Sequence, residues 1–233
     1  MSKIVWDATG ERFYEIGVKR GVLYPWVPAS GSTPGAYGAG VAWNGLTTVT
    51  ESPSGAEPND LWADNIKYAT LRSAETFGGT IEAYTYPKEF EACQGFKDVS
   101  ATSTGLGVYV AQQSRLPFAF SYVTNIGDDT ETDVENDNNY KLHIVYGATV
   151  NPTERSYATI NDSPDAMQMS WEFVTTPIVL STEGFKPVAH IVIDSRYANA
   201  TKLQTLEDQL YGGDNTDPTL VMPDAIIAAF RAT

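Results

Sequence analysis

Cysteine is almost missing from this chain: Cys93 is the only one among 233 residues. That excludes an internal disulfide and any cysteine-built metal cluster, and it suits a reducing compartment. Histidine is nearly as scarce, with only His143 and His190. Positive charge is short as well: 15 Lys and Arg stand against 29 Asp and Glu, for a net charge of −14. Such a surface cannot displace the counterions of a nucleic-acid backbone, and it is not drawn to anionic lipid. Its plain consequence is solubility; its functional consequence is repulsion of something anionic. Long apolar runs are lacking too. The first six residues hold no apolar stretch of the kind a secretion signal needs. The run Ala225 to Phe230 is far too short to span a membrane. Without a leader, the sequon Asn199-Ala200-Thr201 reads as a chance match.

Catalytic signatures are also missing. There is no G-x-S-x-G nucleophile elbow, no phosphate loop and no H-E-x-x-H zinc pattern. Gly105-Leu106-Gly107 begins like a dinucleotide fingerprint, but Val110 occupies the place of the third glycine. His143 and His190 each fall on an expected strand. With a carboxylate they could form a zinc site, although a strand histidine is more often a surface or interface residue. Glu172 and Asp194 could make a glycosidase pair, but a chain with 29 acids offers many such pairs. The expectation is therefore no enzyme, no cofactor and no metal.

What is plentiful points to strands. There are 13 Tyr, 9 Phe and 5 Trp, with many Val, Ile and Thr, while 19 Gly and 13 Pro supply turns. Residues 3–6, 12–18 and 41–50 read as strands, with Gly10 and Gly21 as punctuation and a Pro/Gly-rich loop over 24–37. A polar loop follows over 51–60. Residues 65–72 and 80–86 alternate as strands, and a short helix is expected from Pro87 to Cys93, ended by Gly95. Phe118, Phe120 and Tyr122 share one face; Tyr140, Leu142, Ile144 and Tyr146 share another, opposite Lys141 and His143. These two runs predict a hairpin. A short strand is expected over 158–161. Met167, Met169, Trp171 and Phe173 mark a half-buried strand, and residues 187–194 a last, interior one. Leu203, Leu206 and Leu210 then recur at helical spacing, with Thr201 and Gln204 as a capping box and Gly212 as the stop. A second short helix is expected over 223–230. The whole reads as one mainly β domain, an antiparallel β-sandwich or barrel over about 1–195, with a flanking α-helix and terminal arm over 199–233.

Two polar segments stand out. The tip of the expected hairpin holds Asp128, Asp129, Glu131, Asp133, Glu135 and Asp137 with no Lys or Arg among them. It lacks the glycine and final glutamate of an EF-hand calcium loop. It is either a solvated loop or a negative patch facing a basic partner or a DNA path. The 51–60 loop contains Ser52, Pro53, Ser54, Gly55, Ala56, Glu57 and Pro58, too long and polar for a simple turn. These seven are candidate inter-subunit contacts.

The segments NGLTTVTESPSGAEP, ADNIKYATLRSAETFGGTIEAYTYPKEF, YKLHIVYGATVNPTERSYATINDSP and MSWEFVTTP resemble the major tail protein, or tail tube protein, of phages with long non-contractile tails. The likeness extends over most of the chain and lies in fold and interface segments. It implies a β-sandwich subunit that forms hexameric rings stacked into a hollow tube, with loops and terminal arms bridging neighbours. It also implies the partners: other copies of the chain, and tail tip, tape measure and tail terminator proteins. DNA would pass through without specific binding, and the virion tail would be assembled in the host bacterial cytoplasm. An acidic lumen suits that passage, because like charges repel over a Debye length of ~8 Å at physiological salt. A carbohydrate-binding β-sandwich module is the alternative, with Trp26, Trp43 or Trp62 as stacking surfaces.

Overall fold

The computed structural model describes residues 4–55, 58–71, 75–99, 107–130, 139–160 and 166–231. Strand β1 (Tyr14–Val27) leads to β2 (Ala36–Tyr37), β3 (Val41–Trp43) and β4 (Leu46–Glu51). Strands β5 (Asn59–Ala63) and β6 (Ile66–Leu71) precede β7 (Gly78–Ala83). A 3-10 turn over Lys88–Phe90 runs into α1 (Glu91–Gln94), followed by β8 (Lys97–Asp98) and β9 (Tyr109–Val110). Then come β10 (Phe118–Gly127), β11 (Tyr140–Val150), β12 (Met169–Thr175) and β13 (His190–Asp194). Helices α2 (Ala200–Tyr211) and α3 (Pro223–Arg231) end the chain.

Among the described residues, nine strands join in one antiparallel sheet with the path β2-β1-β10-β11-β12-β7-β4; β3 also pairs β1, and β13 pairs β11. The alternation in β10 and β11 explains the layers. Phe118, Phe120 and Tyr122 point into a core shared with Trp43, Phe90, Trp171 and Phe173. Their neighbours Ala119 and Val123, with Leu142, Ile144 and Tyr146, point the other way, against Leu203, Leu206, Leu210 and Ile226 of the two helices. The sheet therefore curls around the first core and carries the helices on its outer face. The result is a mainly β sandwich with a flanking helical layer. Trp43 fixes the first core: its ring lies 4.5 Å from Phe90, 5.4 Å from Phe120 and 5.6 Å from Trp171 in tilted or edge-on contacts, the arrangement favoured by aromatic quadrupoles. In the helical layer, Tyr24 donates to the Leu210 carbonyl and Tyr146 to that of Val221. Ile226 is buried there, so the apolar side of α3 packs within the chain's own helical layer.

Several expectations are corrected. Gly21 does not end a strand: β1 continues through it, absorbing two register shifts between Ile16 and Val22. A Cβ on Gly21 would lie 2.3 Å from Leu46 Cδ1, so the glycine lets β4 approach β1. The Pro/Gly-rich 24–37 segment is not all loop, because Trp26 and Val27 pair with Tyr37 and Ala36. Residues 4–6 form no strand, and Lys3 lies outside the described residues. Residues 158–160 are irregular, and 161 is outside the described set. The strand expected over 80–86 starts at Gly78 and ends at Ala83, so Tyr86 turns inward against Trp171 at 5.5 Å. β12 starts at Met169, leaving Met167 exposed. β13 is an edge rather than an interior strand: it pairs with β11 over residues 141–145, while β12 takes residues 148–150. The cap of α2 is Asn199, whose Oδ1 accepts from Lys202 N at 3.1 Å, instead of the expected Thr201–Gln204 box. An Asn before the first turn satisfies the same orphan amide.

The point in β11 where its partner changes from β13 to β12 is Gly147, with φ of 60° and an ideal Cβ 2.4 Å from the Thr176 carbonyl oxygen. Gly147→Ala is expected to cost about 2 kcal/mol in urea unfolding, from backbone strain and overpacking. Gly213→Ala, with no atom within 4 Å of its Cβ, should change stability by less than ~0.5 kcal/mol. A second test concerns Asp224 in the first turn of α3. It accepts from the backbone and hydroxyl groups of both Ser181 and Thr182. The Ser181 amide first, then the Thr182 and Ser181 hydroxyls, hold its pKa at about 2, below the usual 3.8. A depressed folded pKa gives stability that is present above 3.8 and lost as the pH falls toward 2. Thermal melts should show wild type above Asp224→Asn at pH 5, with the gap closing below pH 3.

Candidate functional site

Cross-strand pairing brings the two histidines together. His143 on β11 faces Tyr122 on β10, directly opposite in register. The rings stack at 4.6 Å and 6°. On β13, Val192 pairs with His143 and His190 with Val145, so His190 is the diagonal neighbour of His143 on the same face. Phe77, just before β7, stacks on His190 at 4.4 Å. The third member comes from the end of β4, where Glu51 shares the inward face of Val49 and closes over the two rings. Glu51 Oε1 lies 3.1 Å from His143 Nδ1 and 3.8 Å from His190 Nε2, and the two imidazole nitrogens are 3.3 Å apart.

Glu51 and His143 are held from behind by further hydrogen bonds. Tyr122 donates its hydroxyl to Glu51 Oε1 at 2.6 Å, and Thr124 Oγ1 lies 3.1 Å from His143 Nε2. The hydrogen bond from His143, together with that from Tyr122 and the charge of the two rings, overcomes partial burial and holds the Glu51 pKa at about 2. Burial pushes His190 down to about 4 against the pull of Glu51. The side chain of His143 is 8% exposed and that of Glu51 36%, so the cluster is a polar end of the inner core that opens to solvent on the Glu51 side. The histidine pair plus a carboxylate was visible in the sequence as a possibility. The identity of Glu51 was not, because the residue reads as the first of a polar loop; the signal was its two-residue spacing from Val49.

Beyond Ser54 the chain leaves the main sheet. Ser52 N donates to Gly78 O, and Ser54 exchanges backbone bonds with Thr76, so these two residues extend the β4–β7 ladder. Pro53, Gly55 and Pro58 are exposed, while Ala56 and Glu57 lie outside the described residues. The strand expected over 65–72 lies outside the main sheet: among the described residues β6 pairs with β5 alone, which includes Asn59 and Asp60 from the expected loop; Arg72 is outside the described set. Asp64 and Asn65 both have positive φ, 50° and 63°, the signature of a two-residue type I′ hairpin turn. Asp60 accepts from Thr70 and pairs with Lys67 across the hairpin. Leu61, Trp62, Ile66, Tyr68 and Leu71 are all exposed, Trp62 at 68% and Tyr68 at 74%.

The other candidates separate. Asp129 accepts from Gly10 N and pairs with Arg12 at 3.3 Å, and Asp128 caps Thr130, so both are engaged near the N-terminal segment. Glu131, Asp133, Glu135 and Asp137 lie outside the described residues. Trp43 is 2% exposed and donates to the Thr85 carbonyl, so it offers no stacking surface for a sugar. Trp26 packs edge-on against Tyr37, which leaves Trp62 as the exposed member of the three. Glu172 O bonds Asn151 at one end of β11, and Asp194 pairs with Lys141 at the other. That is roughly 30 Å along the strand, far beyond a glycosidase pair at ~5–9.5 Å. Asp194 is instead clasped by Arg196.

No protein-family model matches the chain, and no curated protein matches it significantly. Among the described residues, no helix is long and apolar enough to cross a membrane.

The Tyr122–Glu51 bond ties β10 to β4 across the curl. Tyr122→Phe is expected to lower stability by about 1–2 kcal/mol by chemical unfolding. Tyr84→Phe, at an exposed position, should be neutral.

Proposed function

We propose that the chain is the repeating subunit of a phage tail tube, forming hexameric rings that stack into an acidic conduit for DNA ejection. The observation that carries this reading is the β5–β6 hairpin. A two-stranded hairpin is marginal in water, and this one exposes five large apolar side chains. By register Leu61, Trp62 and Leu71 share one face and Ile66 and Tyr68 the other; exposed apolar surface concentrated on one element in this way supports a contact with another protein. The N-terminal segment supplies a second apolar element: Ile4, Val5 and Trp6 are exposed at 68–75%. A sheet with unpaired edges adds backbone groups that another strand can satisfy. Ring closure and ring stacking are two heterologous contacts, one closing and one open; a projecting hairpin serves the second.

The charge and the sequence likeness support the same reading. Twenty-nine acids against 15 bases give every subunit the sign that repels DNA, and repetition around a ring multiplies the effect. The tail-tube-like segment ADNIKYATLRSAETFGGTIEAYTYPKEF includes the hairpin turn and β6. In this reading the described candidate contact residues, Ser52, Pro53, Ser54, Gly55 and Pro58, precede the hairpin rather than form its tip.

Purified protein, concentrated and crowded, should form rings or tubes in negative-stain images. Trp62→Asp with Tyr68→Asp should abolish them while moving the melting temperature by no more than ~2 °C, since both sites are exposed. Normal tubes from the double variant would remove the hairpin from the interface. A wild-type chain that stays monomeric under crowding, with a tail-tip initiator present, would contradict the proposal.

A further inference from the structure

From the convergence of Glu51 Oε1, His143 Nδ1 and His190 Nε2, we infer a binding site for one divalent transition-metal ion, with Zn²⁺ the preferred occupant. This inference does not rest on the tail-tube reading. It rests first on spacing. An ion bound at 2.0–2.1 Å by tetrahedral ligands holds them about 3.3 Å apart. The three donor–donor distances are 3.1, 3.3 and 3.8 Å. Side chains from three different strands, one of them the far end of the sheet path, meet at the separation that a single ion requires.

The second ground is the donor chemistry. Two imidazole nitrogens and one carboxylate oxygen suit Zn²⁺, Co²⁺, Ni²⁺ and Cu²⁺, whereas Mg²⁺ and Ca²⁺ prefer oxygen alone. All three atoms can present lone pairs to one point, and few protons are at hand to satisfy them: Tyr122 supplies one to Glu51, and His143 can supply one to Glu51 or His190. An ion would satisfy all three together.

The third ground is the surrounding shell. Metal-bound histidines have their outer nitrogen anchored and metal-bound carboxylates are hydrogen-bonded. Thr124 Oγ1 sits at the outer nitrogen of His143, and the Tyr122 hydroxyl is on Glu51. Phe77 and Tyr122 cover the outer ring faces of the histidine pair. Solvent reaches the cluster past Glu51, giving the ion a route in and a fourth ligand position for water. Three protein ligands with one open position is an established zinc arrangement.

Occupancy would act as a clip. It would join β4 to β11 and β13 across the curl of the sheet and fix the residue from which the chain departs toward the β5–β6 hairpin. Cys93 takes no part, being buried in the first core with its thiol pushed up to about 12 by desolvation.

The test uses the whole chain, stripped with chelator and titrated with Zn²⁺ and Co²⁺ in calorimetric and visible-absorption experiments. The expected results are one ion per chain, a Co²⁺ d–d spectrum of low coordination number, and a rise in melting temperature on the order of 5–10 °C at 100-fold excess over Kd. Mg²⁺ should give no rise. His190→Gln, at the more exposed imidazole, and Glu51→Gln should each abolish the spectrum with circular dichroism unchanged. Thr124→Val should weaken binding about 10-fold through the outer nitrogen of His143. Overturning results would be no stoichiometric binding by wild type, or the same stoichiometry and spectrum in folded His190→Gln. If His190→Gln does not fold, Glu51→Gln decides by the same readouts.

Discussion

The need to bury both faces of β10 and β11 organises the rest of the chain. Most residues of this strand pair are buried, whichever way they point, and the rest are half-buried. A two-sided apolar hairpin cannot stand in water; at ~25 cal/mol per Å² of apolar surface, each exposed face would forfeit many kcal/mol. One face is covered when the sheet curls, bringing β12, β7 and β4 over Phe118, Phe120 and Tyr122. The other is covered by α2 and α3. The rings of Trp43, Phe90 and Trp171 set the thickness of the inner layer, and Tyr24 and Tyr146 bolt the outer layer by reaching helix-side carbonyls.

Two features follow from that curl. Folding the sheet back sets the end of β4 above β10 and β11, so an inward residue there meets the open end of the inner core. The residue is Glu51, and the strand faces it meets carry Tyr122, His143 and His190. A polar cluster at the mouth of an apolar core is tolerated because its members satisfy one another and solvent reaches the carboxylate. The second feature is the exit of the chain. After Ser54 the ladder with β7 is used up, and the following residues pair with each other as β5–β6. The core is complete without them, and their apolar side chains are exposed, which is why we propose them as the contact. In this account the body of the subunit is self-sufficient and its contact element is not.

Much of the architecture was legible in the sequence. The alternation of Phe118, Phe120 and Tyr122 against Leu142, Ile144 and Tyr146 specified the central hairpin and its faces, because a period of two is unambiguous when both sets are large and apolar. The leucines of α2 and the apolar side of α3 were equally plain. Glycine misled where it serves packing: Gly21 looked like an end to β1 but is the gap into which Leu46 fits. Local pattern also could not say that β6 pairs with β5 outside the main sheet, because partner choice depends on where β4 and β7 meet. The metal-like trio was half legible. Two histidines on strands were evident, and the spacing of Glu51 from Val49 gave its face, but the diagonal placement of the histidines on β11 and β13 and the meeting of Glu51 with them are consequences of tertiary register.

The division between a finished body and an unfinished contact element can be measured by hydrogen–deuterium exchange on free and assembled protein. In the free subunit the amides of β10 and β11 should exchange slowest and those of β5 and β6 among the fastest, since local stability follows buried packing. On assembly, protection should rise at β5–β6 and change little at β10–β11. Strong protection of β5–β6 in the free subunit, or no gain there in assembled material, would contradict the account.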